Sequence, residues 1–124
     1  LTGGCRVALG DAAAGVMGND QALIDKLLVS AKNTGEKLWQ LPLYEEYKEY
    51  LKSDSADMKN CTESGGKASP SVGGIFLQKF AGDTPWAHID IGGTAYLEGT
   101  QRYLSSGATG YGVRLLVDFL ANAE

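Results

Sequence analysis

The chain opens with apolar residues crowded between glycines. Leu1 to Gly10 (LTGGCRVALG) and Ala12 to Gly18 (AAAGVMG) leave few polar positions on either face. Short apolar runs of this kind predict two strands buried on both faces, as in the sheet of an α/β protein. The period then changes. Leu23, Ile24, Leu27, Leu28 and Ala31 recur at helical spacing, with Asn19 as predicted N-cap, Asp20 in a favourable place for the helix dipole, and Gly35 as the stop. Leu38 to Leu41 reads as a short extended piece. Pro42 predicts the first residue of a second helix, with Leu43, Tyr47, Tyr50 and Leu51 on one side.

Ser53 to Ala68 is polar and rich in Ser and Gly, which predicts a loop, and loops of this length in compact domains often carry function. Ser69-Pro70 predicts a cap and first turn, followed by an apolar stripe of Val72, Ile75, Phe76 and Phe80. Trp86 to Ile91 (WAHIDI) predicts a strand that ends in Gly92-Gly93. Gly107 to Gly112 (GATGYG) opens a final helix, with Val113, Leu116, Val117 and Leu120 expected to face inward. No internal repeat or linker divides the chain. Strands alternate with helices, so the predicted class is α/β.

At 124 residues there is material for one ordinary domain and not for two. A formal net charge of −4 argues against a nucleic-acid or membrane-surface role for this segment. No apolar run approaches the roughly 20 residues of a membrane span, and no secretory signal pattern is present. Cys5 and Cys61 have no CxxC partner, and His88 is the only histidine, so a zinc site of the Cys/His type is not expected. Both cysteines read as buried free thiols of a reducing compartment.

His88 and Asp90 share one face of a strand, and the reading favoured by the flanking Trp86, Ile89 and Ile91 is a hydrogen-bonded structural pair. The Gly107 to Gly112 loop runs into a helix N-terminus, but its spacing fits neither the P-loop nor the dinucleotide pattern. The acidic residues Glu45, Glu46, Asp54 and Asp57 read as solvated.

The ordered segments LTGGCRVALG, GEKLWQLPL, SDSADMKN, WAHIDIGGTAYL and GATGYGVRLLVDFL together resemble the end of the leucyl aminopeptidase (cytosol aminopeptidase, M17) family, from Leu1 to about Leu120. The resemblance implies that residues 1–124 are the C-terminal portion of a three-layer αβα catalytic domain with a mixed central sheet. The first residue is not methionine, and the chain reads as part of a longer frame. The resemblance further implies a cytoplasmic homo-oligomer, a hexamer, acting on peptides with two divalent metals, Zn or Mn. The family's metal ligands, several of them around an Asn-Thr-Asp-Ala-Glu-Gly-Arg motif, have no counterpart here. Neither catalytic residues nor metal ligands are therefore expected in this segment, and by itself it should be inactive.

What the resemblance does carry over is substrate-binding surface. Leu1 and Gly3 would present backbone to the substrate, Gly3 because only glycine lets backbone approach a ligand so closely. Gly92 and Ala95 would line the pocket for the N-terminal side chain. Both are smaller than the family's usual residues, which implies a roomier pocket. Cys61 would lie on the leaving-group side. Two other readings of the residues stay open: a non-catalytic oligomer-forming domain and a small-ligand-binding α/β domain.

Overall fold

The computed structural model describes residues 1–62, 66–100 and 103–123. Its centre is the second apolar run. Ala14–Gly18 forms β1, flanked by β2 (Leu38–Gln40) in parallel and β3 (Ala87–Asp90) in antiparallel register. The sheet is thus mixed, in the order β2-β1-β3. Alternation along β1 sorts its side chains into two layers. Ala14 and Val16 pack with Ile24, Leu27 and Ala31 of α2 (Gln21–Thr34) and with Leu115 of α4 (Val113–Ala121). Gly15 and Met17 face the other way, toward Cys5 of α1 (Gly3–Leu9) and Gly74 of α3 (Ser69–Ala81). Helices cover both faces, which is why the central strand carries no polar side chain.

The first run is not a strand. Gly3–Leu9 is helical, capped by Thr2, whose hydroxyl accepts from the Cys5 N–H at 3.1 Å. Only Cys5 of this helix is buried, and Val7 is 88% exposed, so the segment has one inward face and not two. Its glycines are contact points. A Cβ at Gly4 would stand 2.0 Å from the Ser69 hydroxyl oxygen of α3, which shows how closely the two helices approach. Tertiary packing here outweighs the poor helix propensity of glycine.

α2 begins one residue later than predicted. Asp20 caps it, accepting from Leu23 N–H at 2.7 Å, and Gly35 closes it in the left-handed region (φ 75°). Asn19 instead ties the end of β1 to the segment before β3: its side chain donates to the Thr84 carbonyl and accepts from Trp86 N–H at 2.7 Å. The predicted second helix is a 3₁₀ helix over Glu45–Leu51. Its three-residue turn brings Tyr44, Tyr47 and Tyr50 into successive ring contacts. Leu51 is buried with Val72 and Ile75 of α3, whereas Phe80 is exposed. α3 starts after Ala68, which stands at positive φ (51°), and Ser69 is its first helical residue without acting as a side-chain cap.

α4 presents the opposite side to the one expected. Val113, Leu116, Val117 and Leu120 are exposed, while Leu115 is fully buried and Phe119 packs beside it. The cause lies in how the helix is anchored. The buried Glu36 carboxylate accepts from Gly112 N–H (3.0 Å) and Leu115 N–H (2.9 Å), and the Tyr111 hydroxyl donates to the Lys37 carbonyl. These ties set the rotation of the first turn. A small antiparallel ribbon, β4 (Tyr96–Leu97) with β5 (Gly107–Ala108), precedes the helix and had no counterpart in the sequence reading.

Candidate substrate cleft

Asp90 ends β3 on the α1 side of the sheet and is fully buried. A buried carboxylate is costly unless several donors meet it. Here Oδ1 accepts from the Leu1 nitrogen (2.7 Å), Thr2 N–H (3.2 Å) and Gly92 N–H (3.0 Å), and Oδ2 accepts from the Thr2 hydroxyl (2.6 Å). Burial alone would raise its pKa. The Leu1 amino group, the Thr2 hydroxyl and the two backbone N–H groups outweigh it, so the carboxyl lies below the usual carboxylate range. The beginning of the chain is thereby laced to the strand end some ninety residues later, with Cys5 Sγ donating to the Asp90 carbonyl as a further tie.

The expected His88–Asp90 hydrogen bond is absent. Asp90 spends both oxygens on Leu1, Thr2 and Gly92, while His88 stacks on Trp86 with ring centroids 6.3 Å apart. His88 Nε2 is buried without a hydrogen-bond partner, and burial pushes the ring's pKa down against the pull of the Asp90 charge.

Beside this clamp lies a cleft of about 390 Å³ between the start of α1, the loop around residue 61 and the first turns of α3. Leu1, Thr2, Asn60, Cys61, Val72 and Phe76 are among its walls. It is mostly apolar with a few polar groups, the usual character of a small-ligand site. Gly73 lets the wall close: a Cβ there would lie 3.2 Å from Leu1 Cδ2 and 3.3 Å from Thr2 Cγ2.

Of the expected substrate residues, Leu1 and Cys61 meet in this cleft. Gly3 starts α1 with open space where its side chain would be. Gly92 lies behind the Leu1–Thr2 wall, and a Cβ on it would stand 2.3 Å from the Thr2 carbonyl oxygen. The missing methyl at 92 therefore adds no room, since the Thr2 carbonyl occupies that space. Ala95 sits in the following turn, its N–H on the Ile91 carbonyl and its own carbonyl accepting from Thr109 N–H. Neither Gly92 nor Ala95 is among the described cleft-lining residues. Cys5 is buried as expected, but Cys61, in a polar loop outside the core clusters, is exposed.

Comparison with known proteins decides the family. The model of the cytosol aminopeptidase family, catalytic domain, matches residues 1–117. The chain belongs to the cytosol aminopeptidase family. The probable cytosol aminopeptidase of Geobacter sp. (strain M21) is 52% identical over 120 residues, covering 97% of this chain and 24% of that protein. The corresponding protein of Geobacter sulfurreducens is 53% identical over 120 residues, with the same coverage. That of Protochlamydia amoebophila is 48% identical over 121 residues, again 97% of this chain and 24% of the relative. The chain thus spans about a quarter of the length of these relatives.

Among the described residues, no group of three or more His, Cys, Asp and Glu side chains could hold a metal ion. The described residues do not fit a dimetal centre. Sequence reasoning missed two structural anchors, Thr2 and Glu36. A signal existed for Thr2, a hydroxyl three residues before a helical N–H. None existed for Glu36, whose partners lie 76 and 79 residues away.

Proposed function

We propose that residues 1–124 are the C-terminal portion of the catalytic domain of a leucyl aminopeptidase that releases N-terminal, Leu-like residues from peptides. The family match over residues 1–117 carries this reading, and the apolar cleft bordered by Leu1 and Cys61 supports it. In this reading the Leu1 and Gly3 backbone faces the substrate, Gly92 and Ala95 stand near its first side chain, and Cys61 borders the leaving-group side. The segment binds and orients. It contributes no catalytic residue, and the two divalent ions, Zn or Mn, belong to the rest of the polypeptide. The full protein works as a cytoplasmic hexamer on peptides, without contacting nucleic acid or membrane through this segment. The net charge of −4 favours that last point, and among the described residues no helix is long and apolar enough to cross a membrane.

The test compares the full-length polypeptide with the 124-residue chain in turnover of a leucyl anilide with added Mn²⁺ or Zn²⁺. Only the full-length protein should be active, since surface that orients a substrate does not hydrolyse it. Metal-dependent turnover by the isolated chain, or none by the full-length protein, would overturn the reading.

A further inference from the structure

The Leu1–Thr2 segment is held from two opposite sides. From beneath, Asp90 accepts from the Thr2 N–H and the Thr2 hydroxyl, and in this chain it also pairs with the Leu1 ammonium. From across the cleft, Gly73 of α3 leaves just enough space for the two side chains to close on the helix. The Thr2 carbonyl is pressed against Gly92, whose own N–H is fixed by the same carboxylate oxygen. Capping α1 does not require this arrangement, since the Thr2 hydroxyl meets Cys5 N–H without Asp90. A buried carboxylate is also an expensive way to hold a strand end that Ile89 and Ile91 already pack. What its oxygens do together is fix the cleft wall relative to the Gly92 turn.

We propose that Asp90 is a positioning residue for substrate binding, acting through Thr2 to hold the Leu1–Thr2 backbone at the wall of the aminopeptidase cleft. This rests on the cleft being the substrate cleft. Thr2 is the intermediary: its hydroxyl donates to Asp90 Oδ2 and accepts from Cys5 N–H, so it transmits the carboxylate's position to the start of α1. Asp90→Asn keeps the shape and one acceptor, but it turns an amide donor toward the Thr2 hydroxyl and leaves that proton without a partner. Thr2→Val removes the hydroxyl, whereas Thr2→Ser retains it.

The experiment uses the full-length enzyme with a leucyl anilide as probe, and native mass and metal content are checked for each variant. Asp90→Asn and Thr2→Val should raise KM by about threefold to tenfold with kcat within about twofold, because binding surface is lost and the chemistry is not. Thr2→Ser should stay within about twofold of the parent in both. A merely structural role lowers the folded fraction and leaves KM alone. Unchanged KM in folded Asp90→Asn and Thr2→Val, or a Thr2→Ser enzyme as impaired as Thr2→Val, overturns the proposal. Amide exchange in peptides covering residues 1–5 and 90–94 provides a readout independent of activity: both should be protected in the parent and faster in the two variants. If a variant fails to fold, fast exchange of these peptides in the unsubstituted enzyme overturns the clamp, and slow exchange upholds it. An inactive parent protein overturns the enzymatic reading, and the exchange result still decides whether the clamp exists.

Discussion

His88 and Asp90 show how two side chains on one strand face can have unrelated environments. Asp90 is saturated with donors, while His88 has a stacked ring and a buried nitrogen with no partner. Both pKa values are lowered, and both make the fold acid-sensitive, in different windows. As pH falls below about 6.5, the unfolded chain protonates its histidine before the folded one does, so stability that is complete above that pH is lost down to the lowered folded value. The Asp90 contribution is complete above about pH 4 and is lost only below it. Between pH 7 and 5 the acid sensitivity at this site therefore belongs to His88. In the 124-residue chain, His88→Gln should flatten the fall in Tm across that range. An unchanged slope would show that the ring is as readily protonated folded as unfolded. The shared face was legible from the two-residue period, but Asp90's partners were not, because Thr2 lies 88 residues away.

At the scale of elements, apolar spacing marked the helices well and their inward faces less well. α2 presents Ile24, Leu27 and Ala31 to the core as its period predicts. α4 carries apolar residues on most of its circumference, and its one polar side, Arg114 and Asp118, points the period toward Leu116 and Leu120, away from the side the fold buries. The choice was made by Glu36 and Tyr111, which fix the first turn and point Leu115 at Ala14 and Val16. Leu115→Ala should therefore cost about 2–5 kcal/mol through lost burial and a residual cavity. Leu116→Ala should change stability by less than about 0.5 kcal/mol in the isolated chain when dilute enough to be monomeric, as exposed substitutions usually do. Urea denaturation of the two variants checks the contrast, and equal effects would mean that α4 is rotated from the orientation described. α1 gives the complementary lesson. Its glycines and small residues looked like strand punctuation, yet they serve close helix contacts that only the folded arrangement defines.

For the whole molecule, the four exposed apolar residues of α4 and the short three-stranded sheet set the behaviour of the chain when alone. Val113, Leu116, Val117 and Leu120 form one stripe on the surface, with Leu120 70% exposed. Exposed apolar stripes and open sheet edges promote association. The isolated chain should bind a dye specific for apolar surface and self-associate in sedimentation, and mutating Val117 to Lys should reduce both. A monomeric, cooperative melt without dye binding would count against this. The alternation of buried runs and helical periods determined the α/β class, the central strand and α2, because burial on both faces leaves a pattern that needs no partner to be read. The ordered motifs determined the family, because their succession is a property of the chain itself. Only the tertiary structure decided that the first run is a helix, that α4 turns Leu115 inward, and that Asp90 clamps Thr2 beside the cleft. Beyond the local Thr2 cap of the first helix, each of these depends on hydrogen bonds or close approaches between residues roughly sixty-five to ninety positions apart, and local sequence carries no record of such distances.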